Sequence, residues 1–376
     1  MFYPTAFISR SLRLNSSHQT QQSALSSIRR LCQWESELGF SVEEKLCKGE
    51  LLLPHEIDDL AAHVRTSRKG NRGETISAEK FNIYWFYIRS YIAWLTDELL
   101  PNRNNIHVRK LVADQATRMK SRELKRVASR ARKSQRLLDE KLPELARAQL
   151  LSLFAEPFHG IEDKIQHYGT RLRNIVMFRI LYETGMRRGE LLSLKLKNFV
   201  EASGGDGAYL VIERNHDDEL DLRANQPVAK TLGRDVPITP ELESQILKYR
   251  EYRADLYNAG HSGESFLFCV HQSGQTEGQA LSINGFNSAF LNFRNSFPAL
   301  GKSLHAHAFR HDWNYRFSMR ADADGMTEQE EASSREEAMG WVQGSDMAKI
   351  YNQRHRREMA MTVGRKVAED TMRPRK

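Results

Sequence analysis

The stretch from Ser77 to Leu100, SAEKFNIYWFYIRSYIAWLTDELL, constrains the fold more than any other part of the chain. Its large apolar and aromatic residues recur at steps of three and four, which is the spacing of a helix with one buried face. The residues on this face are Phe81, Tyr84, Trp85, Ile88, Tyr91, Ile92 and Leu95. Exposed aromatic rings can stack on nucleic-acid bases, but a stripe at helical spacing is more typical of a core. The pattern predicts helical structure from about Thr20 to Asn105.

A chain of 376 residues exceeds what one hydrophobic core usually holds, and we therefore expect two domains. A second segment begins after Pro143 with helical text, ELARAQLLSLFAEPF and then RLRNIVMFRILYETG, which ends at Gly185, a natural helix stop. Short strand-like runs follow, AYLVIE, QPVAK and DVPI, and Thr239 is a candidate cap for a further helix. The second domain should therefore be mostly helical with a small sheet.

Between the two segments the chain is strongly basic, RMKSRELKRVASRARKSQR, with Glu123 as its single acidic residue. Its basic residues are Arg118, Lys120, Arg122, Lys125, Arg126, Arg130, Arg132, Lys133 and Arg136. A solvated helix face could explain such a run, but charge this one-sided repels itself unless a polyanion neutralises it, so we favour contact with phosphates. We place a basic linker at 118–140, between an N-terminal arm and helical domain at 1–117 and a second domain at 141–376.

The bulk properties favour a cytoplasmic protein that binds a polyanion. Lys and Arg total 56 against 48 Asp and Glu, for a formal net charge of +8. No apolar run approaches the ~20 residues of a membrane span, and the N-terminus lacks the features of a secretory signal. The cysteines Cys32, Cys47 and Cys269 form no metal-binding or redox motif, so we expect them to be reduced and buried. The acidic run RNHDDELD, Arg214–Asp221, is expected to be solvated surface.

Three short motifs carry candidate chemistry. They are TGMRRGELLSL at Thr184–Leu194, HAFRH at His307–His311 and MGWVQGSDMAKIY at Met339–Tyr351. Together they resemble the tyrosine recombinase, or phage integrase, family. The first motif matches the family box T-G-x-R-x-x-E-L-x-x-L at every named position. The second matches H-x-L-R-H with Phe309 in place of leucine, which keeps an apolar residue there.

The third motif and a lysine complete the resemblance, which spans residues 143–351. The segment MGW at 339–341 matches the family's L-G-H or L-G-W box, and Tyr351 follows its tryptophan by ten residues where the family usually has nine. The connecting helix should therefore start later or bulge. The family also places a lysine in a β-hairpin ahead of a V-P-L strand, and PVAKTLGRDVPI supplies Lys230 at that position.

The resemblance implies six catalytic and two supporting residues. The catalytic residues are Arg187, Lys230, His307, Arg310, Trp341 and the nucleophile Tyr351, and the supporting residues are Glu190 and His311. Attack on a phosphodiester places negative charge on its non-bridging oxygens, and arginine is a forked, permanently charged donor for them. A tyrosine hydroxyl, with an ordinary pKa of ~10, needs a proton acceptor, for which His307 is the candidate. By resemblance, Lys230 is the acid that protonates the leaving 5′ oxygen.

The implied fold is mainly α, with an N-terminal helical core-binding domain and an α+β catalytic domain that carries a small antiparallel sheet and a C-terminal tail. The implied activity is site-specific DNA recombination through a 3′-phosphotyrosyl intermediate, without a metal, ATP or another cofactor. Expected partners are double-stranded DNA recombination sites, further copies of the chain in a tetramer on DNA, and optional accessory DNA-bending or directionality factors. The same resemblance implies a role in integration or transposition of a mobile element, and leaves open whether the DNA served is a phage, an integrative element, a transposon or the host chromosome.

Other interpretations stay open. The longer spacing before Tyr351 could misplace its hydroxyl and leave a DNA-binding relic, and a type IB topoisomerase would share the chemistry without site preference. His305, His307 and His311 could be metal ligands, although no carboxylate or cysteine joins them nearby. Arg188 stands in a different register from the family arginine and is interpreted as a DNA-phosphate or surface residue.

Overall fold

The structure is a computed structural model that describes residues 2–67, 74–125, 142–214, 218–229, 231–302, 304–345 and 359–370. The chain forms two compact units, Met1–Ala128 and Ser129–Lys376. Within the described ranges, no helix is both long enough and apolar enough to cross a lipid bilayer.

The first unit is helical. Its helices are α1 (Phe2–Phe7), α2 (His18–Leu38), α3 (Val42–Cys47), α4 (Pro54–Arg65), α5 (Ala78–Leu99) and α6 (Ile106–Ser121), with a π-helical turn at Ile8–Leu12. The predicted aromatic stripe lies on α5 and forms the core, where Trp85, Ile88 and Leu95 are fully buried. Of the seven residues of the stripe, Tyr84 alone is only partly buried. The interpretation of this stripe as core is confirmed.

The segment 118–125, which the sequence assigns to a linker, is part of the first unit. The α6 helix continues to Ser121 because the apolar side chain of Met119 is buried and its carbonyl accepts a hydrogen bond from Trp85 Nε1 at 2.7 Å. Asn82 also exchanges two hydrogen bonds with the Leu124 backbone, at 2.9 and 3.0 Å. Packing of the apolar residues thus extends this unit beyond the boundary drawn from charge alone.

The second unit combines helices with one small sheet. Its helices are α7 (Glu144–Ala155), α8 (Tyr168–Thr184), α9 (Arg188–Ser193), α10 (Pro240–Ala254), α11 (Ile283–Ser296), α12 (Ala306–Ala323) and α13 (Glu328–Met339), and residues 359–370 are also helical. Short 3₁₀ turns lie at Ile165–His167, Leu196–Asn198 and Pro298–Leu300. The strands β1 (Phe199–Val200), β2 (Tyr209–Ile212) and β3 (Arg234–Pro237) pair antiparallel in the order β1-β2-β3. The predicted fold class, mainly α with a small antiparallel sheet, is confirmed.

Two of the three strand predictions hold. The runs AYLVIE and DVPI overlap β2 and β3, respectively. These two strands pair with each other, and Leu210 lies opposite Val236. The prediction for QPVAK is wrong, because residues 226–229 form no strand. The Gln226 side-chain amide instead donates to the backbone carbonyls of Asp218 and Asp221, so it braces the connection between the two strands.

The acidic run at Arg214–Asp221 is not simply solvated surface. Asp221 is only 5% exposed and accepts two hydrogen bonds from the Arg223 guanidinium, each 2.7 Å long. Asp218 pairs with Lys195 at 2.9 Å. Each carboxylate has a cationic partner, which offsets the cost of its burial, and the partner of Asp218 is distant in the sequence.

The expectation of buried cysteines holds for one of the three. Cys269 is buried, Cys32 is partly buried and Cys47 is exposed. Cys47 is the last residue of the short helix α3, where Leu46, not the cysteine, faces the core.

Helix α8 organises the core of the second unit. The Phe178 ring contacts Phe290 and Phe293 on α11, with centroid separations of 4.8 and 4.9 Å, and stacks with Phe309 on α12 at 6.4 Å. This aromatic cluster holds α11 and α12 against α8. Since α8 ends where the first motif begins and α12 carries the second, the core places both motifs at one end of the domain.

Candidate active site

The first motif forms a tight helix-to-helix turn. Gly185 ends α8 in the left-handed region at φ 62°, where a side chain would also collide with Trp313, whose Cγ lies 2.8 Å from an ideal Cβ. The chain then turns at Met186. Arg187 is the N-cap residue of α9 and has an extended backbone conformation. The Glu190 carboxylate accepts a hydrogen bond from the Arg187 backbone N–H at 2.9 Å. This turn fixes the direction in which Arg187 leaves the backbone.

The second motif lies on the first turns of α12 and is joined to the first motif by Arg310. This arginine is 1% exposed, and its Nη1 donates to the carbonyl oxygen of Gly185 at 2.8 Å. Phe309, at the position where the family has leucine, is fully buried in the aromatic core. The apolar exchange is therefore accommodated, and a buried guanidinium connects two segments that are distant in sequence.

Asp312 fixes the same helix from its other side. Its fully buried carboxylate accepts hydrogen bonds from Arg147 Nη2 at 2.6 Å and from Arg316 Nε at 3.0 Å. Arg316 also donates to the Tyr182 carbonyl and covers the Tyr182 ring. Three helices, α7, α8 and α12, are thereby tied together beneath the second motif.

The third motif packs its tryptophan on the same guanidinium. Gly340 ends α13 in the left-handed region at φ 62°, and the Trp341 backbone N–H donates to the Glu336 carbonyl at 2.8 Å. The Trp341 side chain is 7% exposed, and the Arg310 guanidinium lies 5.4 Å from its ring centroid. All three motifs therefore converge around Arg310.

Glu190 is the polar centre of this arrangement. Its side chain is fully buried, and besides Arg187 it accepts hydrogen bonds from Thr231 Oγ1 at 2.7 Å and from Arg234 Nη2 at 3.0 Å. Burial by itself would raise the pKa of this carboxyl, but the positive charge of Arg234, with the Arg187 N–H and the Thr231 hydroxyl, lowers it below its ordinary value. Glu190 therefore stays ionised and orients its neighbours.

A cleft of about 430 Å³ opens beside these residues. Its polar lining is mainly cationic or imidazole and consists of Arg187, Arg188, Asn287, Arg294, His305, His307 and Arg310. None of the described residues that line it carries a carboxylate. Arg188 is half-buried there and donates to Asn287 Oδ1 at 2.7 Å. The electrostatic character of the cleft suits an anion such as a phosphodiester.

His307 lies at the exposed mouth of the cleft, with its ring centroid 4.3 Å from that of His311. Partial burial of the imidazole, followed by the positive charges of Arg310 and Arg187 and the neighbouring His305, lowers the pKa of His307 to about 4. The site therefore favours the neutral imidazole. Neutral imidazole is the form that can accept a proton.

The free protein should show this shift directly. As the pH falls through ~6.5, the ordinary imidazole pKa, His307 is expected to remain neutral and to titrate nearer 4. Proton NMR of the histidine ring signals from about pH 3 to about pH 8 measures this, with His307→Gln to assign the resonance. The reference is the ordinary imidazole pKa of ~6.5. A His307 midpoint at or above that ordinary value would contradict the described environment.

Two of the predicted catalytic residues, Lys230 and Tyr351, lie outside the described residues, as do Arg126, Arg130, Arg132, Lys133 and Arg136 of the basic run. The described basic residues of that run, Arg118, Lys120, Arg122 and Lys125, are exposed. Arg122 pairs with Asp58 at 2.5 Å. Within the described part of the chain, no cluster of three or more His, Cys, Asp or Glu side chains could hold a metal ion.

The sequence interpretation missed Arg234 and Thr231, the two further partners of Glu190. One signal was available for Arg234. Side chains in a strand alternate between faces, so in β3 Arg234 shares a face with Val236, which is buried. A cation on the inner face of a strand needs a buried anion, and Glu190 is that anion.

Comparison with solved structures identifies the class of fold. The chain is similar to XerH site-specific recombinase in a post-cleavage complex with a palindromic difH substrate, at 18% identity and a TM-score of 0.52, over 90% of this chain and 77% of that one. It is also similar to the Tn1549 transposon integrase in complex with transposon right end DNA, at 16% identity and a TM-score of 0.51, over 96% and 97% of the two chains. The fold is that of the tyrosine recombinases.

A sequence model described as the phage integrase family matches residues 159–357, which is more than half of the chain. The chain belongs to the phage integrase family. No curated protein matches it in sequence. The resemblance drawn from the three motifs is thereby confirmed at the level of family and fold.

Proposed function

We propose that this protein is a site-specific recombinase that cuts and rejoins DNA through a 3′-phosphotyrosyl link at Tyr351. One observation carries the proposal. Arg187 and Arg310, from motifs far apart in sequence, line a single cationic cleft with His307, and Arg310 is fixed there by its bond to Gly185. Two guanidinium groups at one cleft match the two non-bridging oxygens of a phosphodiester.

In this reaction the Tyr351 oxygen bonds to phosphorus while the bond from phosphorus to the 5′ oxygen breaks. His307, neutral in the free protein, accepts the tyrosine proton, and Lys230 donates a proton to the departing 5′ oxygen. Arg187 and Arg310 stabilise the charge that develops on the phosphate oxygens. The resulting ester retains the energy of the broken bond, so a 5′ hydroxyl of another strand can reverse the step without ATP, a metal or another cofactor.

The remaining site residues have supporting roles in this proposal. The indole N–H of Trp341 is a donor for a phosphate oxygen, and the ring packs on Arg310. Glu190 orients Arg187, with which it forms a 3.3 Å ion pair. His311 lies against His307 and limits the positions of that ring.

We also propose that the basic run contacts DNA phosphates. Arg118 and Lys120 are exposed in the last turn of α6, and Lys125 is exposed just beyond it. Such contacts position a protein on a duplex without reading its sequence. The XerH and Tn1549 structures are complexes with DNA, which supports a duplex partner here. The same proposal includes assembly as a tetramer on two DNA sites, with accessory DNA-bending or directionality factors. It also includes a contact between the C-terminal tail and a neighbouring subunit.

The proposal is tested by trapping the covalent intermediate. A duplex nicked just 3′ of the cleavage position loses a short 5′-hydroxyl fragment after cleavage, so religation fails and the adduct accumulates. Sequencing DNA that is covalently bound to the protein in cells supplies the site for that substrate. We expect a protein–DNA adduct resistant to denaturant and sensitive to protease, formed in the presence of a metal chelator.

Two outcomes would contradict the proposal. DNA binding without any covalent capture of DNA in cells would indicate a DNA-binding relic. Relaxation of every supercoiled plasmid, irrespective of sequence, would indicate a type IB topoisomerase. A matched plasmid pair, with and without the captured site, separates site-specific cleavage from such general relaxation.

A further inference from the structure

Arg234 connects three parts of the candidate site through its guanidinium. Its side chain is 6% exposed, and its two terminal nitrogens have different partners. Nη2 bonds to Glu190 Oε2 at 3.0 Å, and Nη1 bonds to Thr231 Oγ1 at 3.1 Å. The Arg234 side chain also packs closely against Gly340 in the turn of the third motif. A Cβ atom built on Gly340 would lie 2.9 Å from Arg234 Nη1.

The described residues on both sides of residue 230 are held in place. Before it, Ala229 is 1% exposed and belongs to the core. After it, Thr231 is 5% exposed and bonds through its hydroxyl to Glu190 Oε1 at 2.7 Å. The Leu232 backbone N–H then donates to the Gly340 carbonyl at 3.0 Å. The first motif, the third motif and strand β3 therefore all anchor Thr231 and Leu232, which follow Lys230 in the sequence.

From this geometry we propose that Arg234 is a positioning residue that sets the place of Lys230 and thereby controls proton delivery to the leaving 5′ oxygen. The inference rests on the proposed function, in which Lys230 is the general acid. Arg234 acts through Glu190 and Thr231 and does not line the cleft beside Arg187 and Arg310. A general acid is effective only when it is within hydrogen-bond reach of its target, so a small displacement of this segment has a large effect.

The guanidinium suits this role better than an ammonium. Its planar fork can bond Glu190 and Thr231 at the same time from two nitrogens, whereas a lysine at this position would reach one of them at most. Arg234→Lys should therefore retain the charge beside Glu190 and lose part of the restraint on Thr231. Its activity is expected to lie between those of wild type and Arg234→Gln.

A sulfur-containing substrate distinguishes positioning of an acid from a general structural role. In the natural substrate, the electron pair of the breaking bond passes to the 5′ oxygen, which takes a proton from Lys230. If sulfur replaces that oxygen, the electron pair passes to sulfur, which leaves as a thiolate without a proton because a thiol has a pKa of only ~8.5. Loss of the acid should therefore matter for oxygen and hardly at all for sulfur.

The experiment compares single-turnover adduct formation by the full-length chain on matched oxygen and sulfur substrates at saturating protein. For Arg234→Gln we expect a loss of about 100-fold on the oxygen substrate, typical of a missing general acid. On the sulfur substrate, the rate of Arg234→Gln should remain at least about a third of the wild-type rate. Arg173→Gln is the matched control, because Arg173 is also buried and bonds the Cys269 carbonyl at 2.8 Å. Any loss in Arg173→Gln should be equal on the two substrates.

Lys230→Ala separates failure of the inference from failure of the proposed function. If sulfur restores Lys230→Ala but not Arg234→Gln, Lys230 is the acid and Arg234 does not position it. If sulfur restores neither variant, the role assigned to Lys230 is wrong. Restoration of both supports the inference.

A second variant covers the case in which Arg234→Gln does not fold, as judged by thermal unfolding. Thr231→Val keeps nearly the same shape and removes the hydroxyl that bonds both Glu190 and Arg234. We expect a loss of roughly tenfold on the oxygen substrate with full restoration by sulfur. A folded Thr231→Val variant with equal losses on both substrates, or with no loss on oxygen, would overturn the proposal.

Discussion

Tyr351→Phe is expected to abolish formation of the covalent adduct while leaving DNA binding unchanged. The substitution removes one oxygen, the proposed nucleophile, and keeps the aromatic ring. Removal of the nucleophile from enzymes that form covalent intermediates costs on the order of 10⁴-fold or more, so the adduct should fall below detection. Single-turnover reactions on the nicked substrate measure the adduct, and gel-shift titration measures the affinity for DNA.

The matched control is Tyr315→Phe, the tyrosine nearest to Tyr351 in the sequence. Tyr315 lies on α12 downstream of the second motif and does not line the cleft. It should retain adduct formation within a few-fold of wild type. Covalent adduct from Tyr351→Phe at more than a trace level would remove Tyr351 as the nucleophile, whatever the affinity for DNA.

Arg310→Gln is expected to give the second-largest loss, about 1000-fold in the rate of cleavage. One fixed donor to a developing oxyanion is worth roughly 10²–10³ in rate, and Arg310 also supports Trp341. The substitution weakens or removes the donor of the buried Gly185 carbonyl, at a cost of about 1–3 kcal/mol in the free energy of unfolding if the carbonyl is left unpaired. Cleavage rates at saturating protein and thermal unfolding measure the two effects separately.

Arg188→Gln is the control for charge. Arg188 lines the same cleft and carries the same charge. Its described side-chain hydrogen bond goes to Asn287, whereas that of Arg310 goes to the Gly185 carbonyl. Its loss should cost no more than a partly exposed ionic contact, ~1 kcal/mol or about fivefold. Equal losses for Arg188→Gln and Arg310→Gln would show that the cleft acts through total charge, and the assignment of a specific arginine clamp would fail.

The local elements of the fold could be predicted because each depends on residues close together in the chain. The stripe on α5 follows from helical spacing. The end of α8 follows from Gly185, because glycine readily adopts the positive φ of a residue that ends a helix. Thr239 caps α10 as predicted, accepting a hydrogen bond from the Leu242 N–H. The strand prediction at QPVAK was wrong because its short apolar run between polar residues resembles a strand. In the structure the Gln226 side chain instead bonds to the backbone carbonyls of Asp218 and Asp221.

The sequence by itself determined the family, the order of the three motifs and the helical character of both units, because these depend on residue identity and local spacing. The tertiary structure alone decided which charges are buried together. Arg310 with the Gly185 carbonyl, Arg234 with Glu190 and Arg147 with Asp312 all pair inside the second unit. In a linear sequence a charge that will be buried and paired is indistinguishable from one that stays in water, since desolvation and pairing arise only when packing brings separate segments into contact.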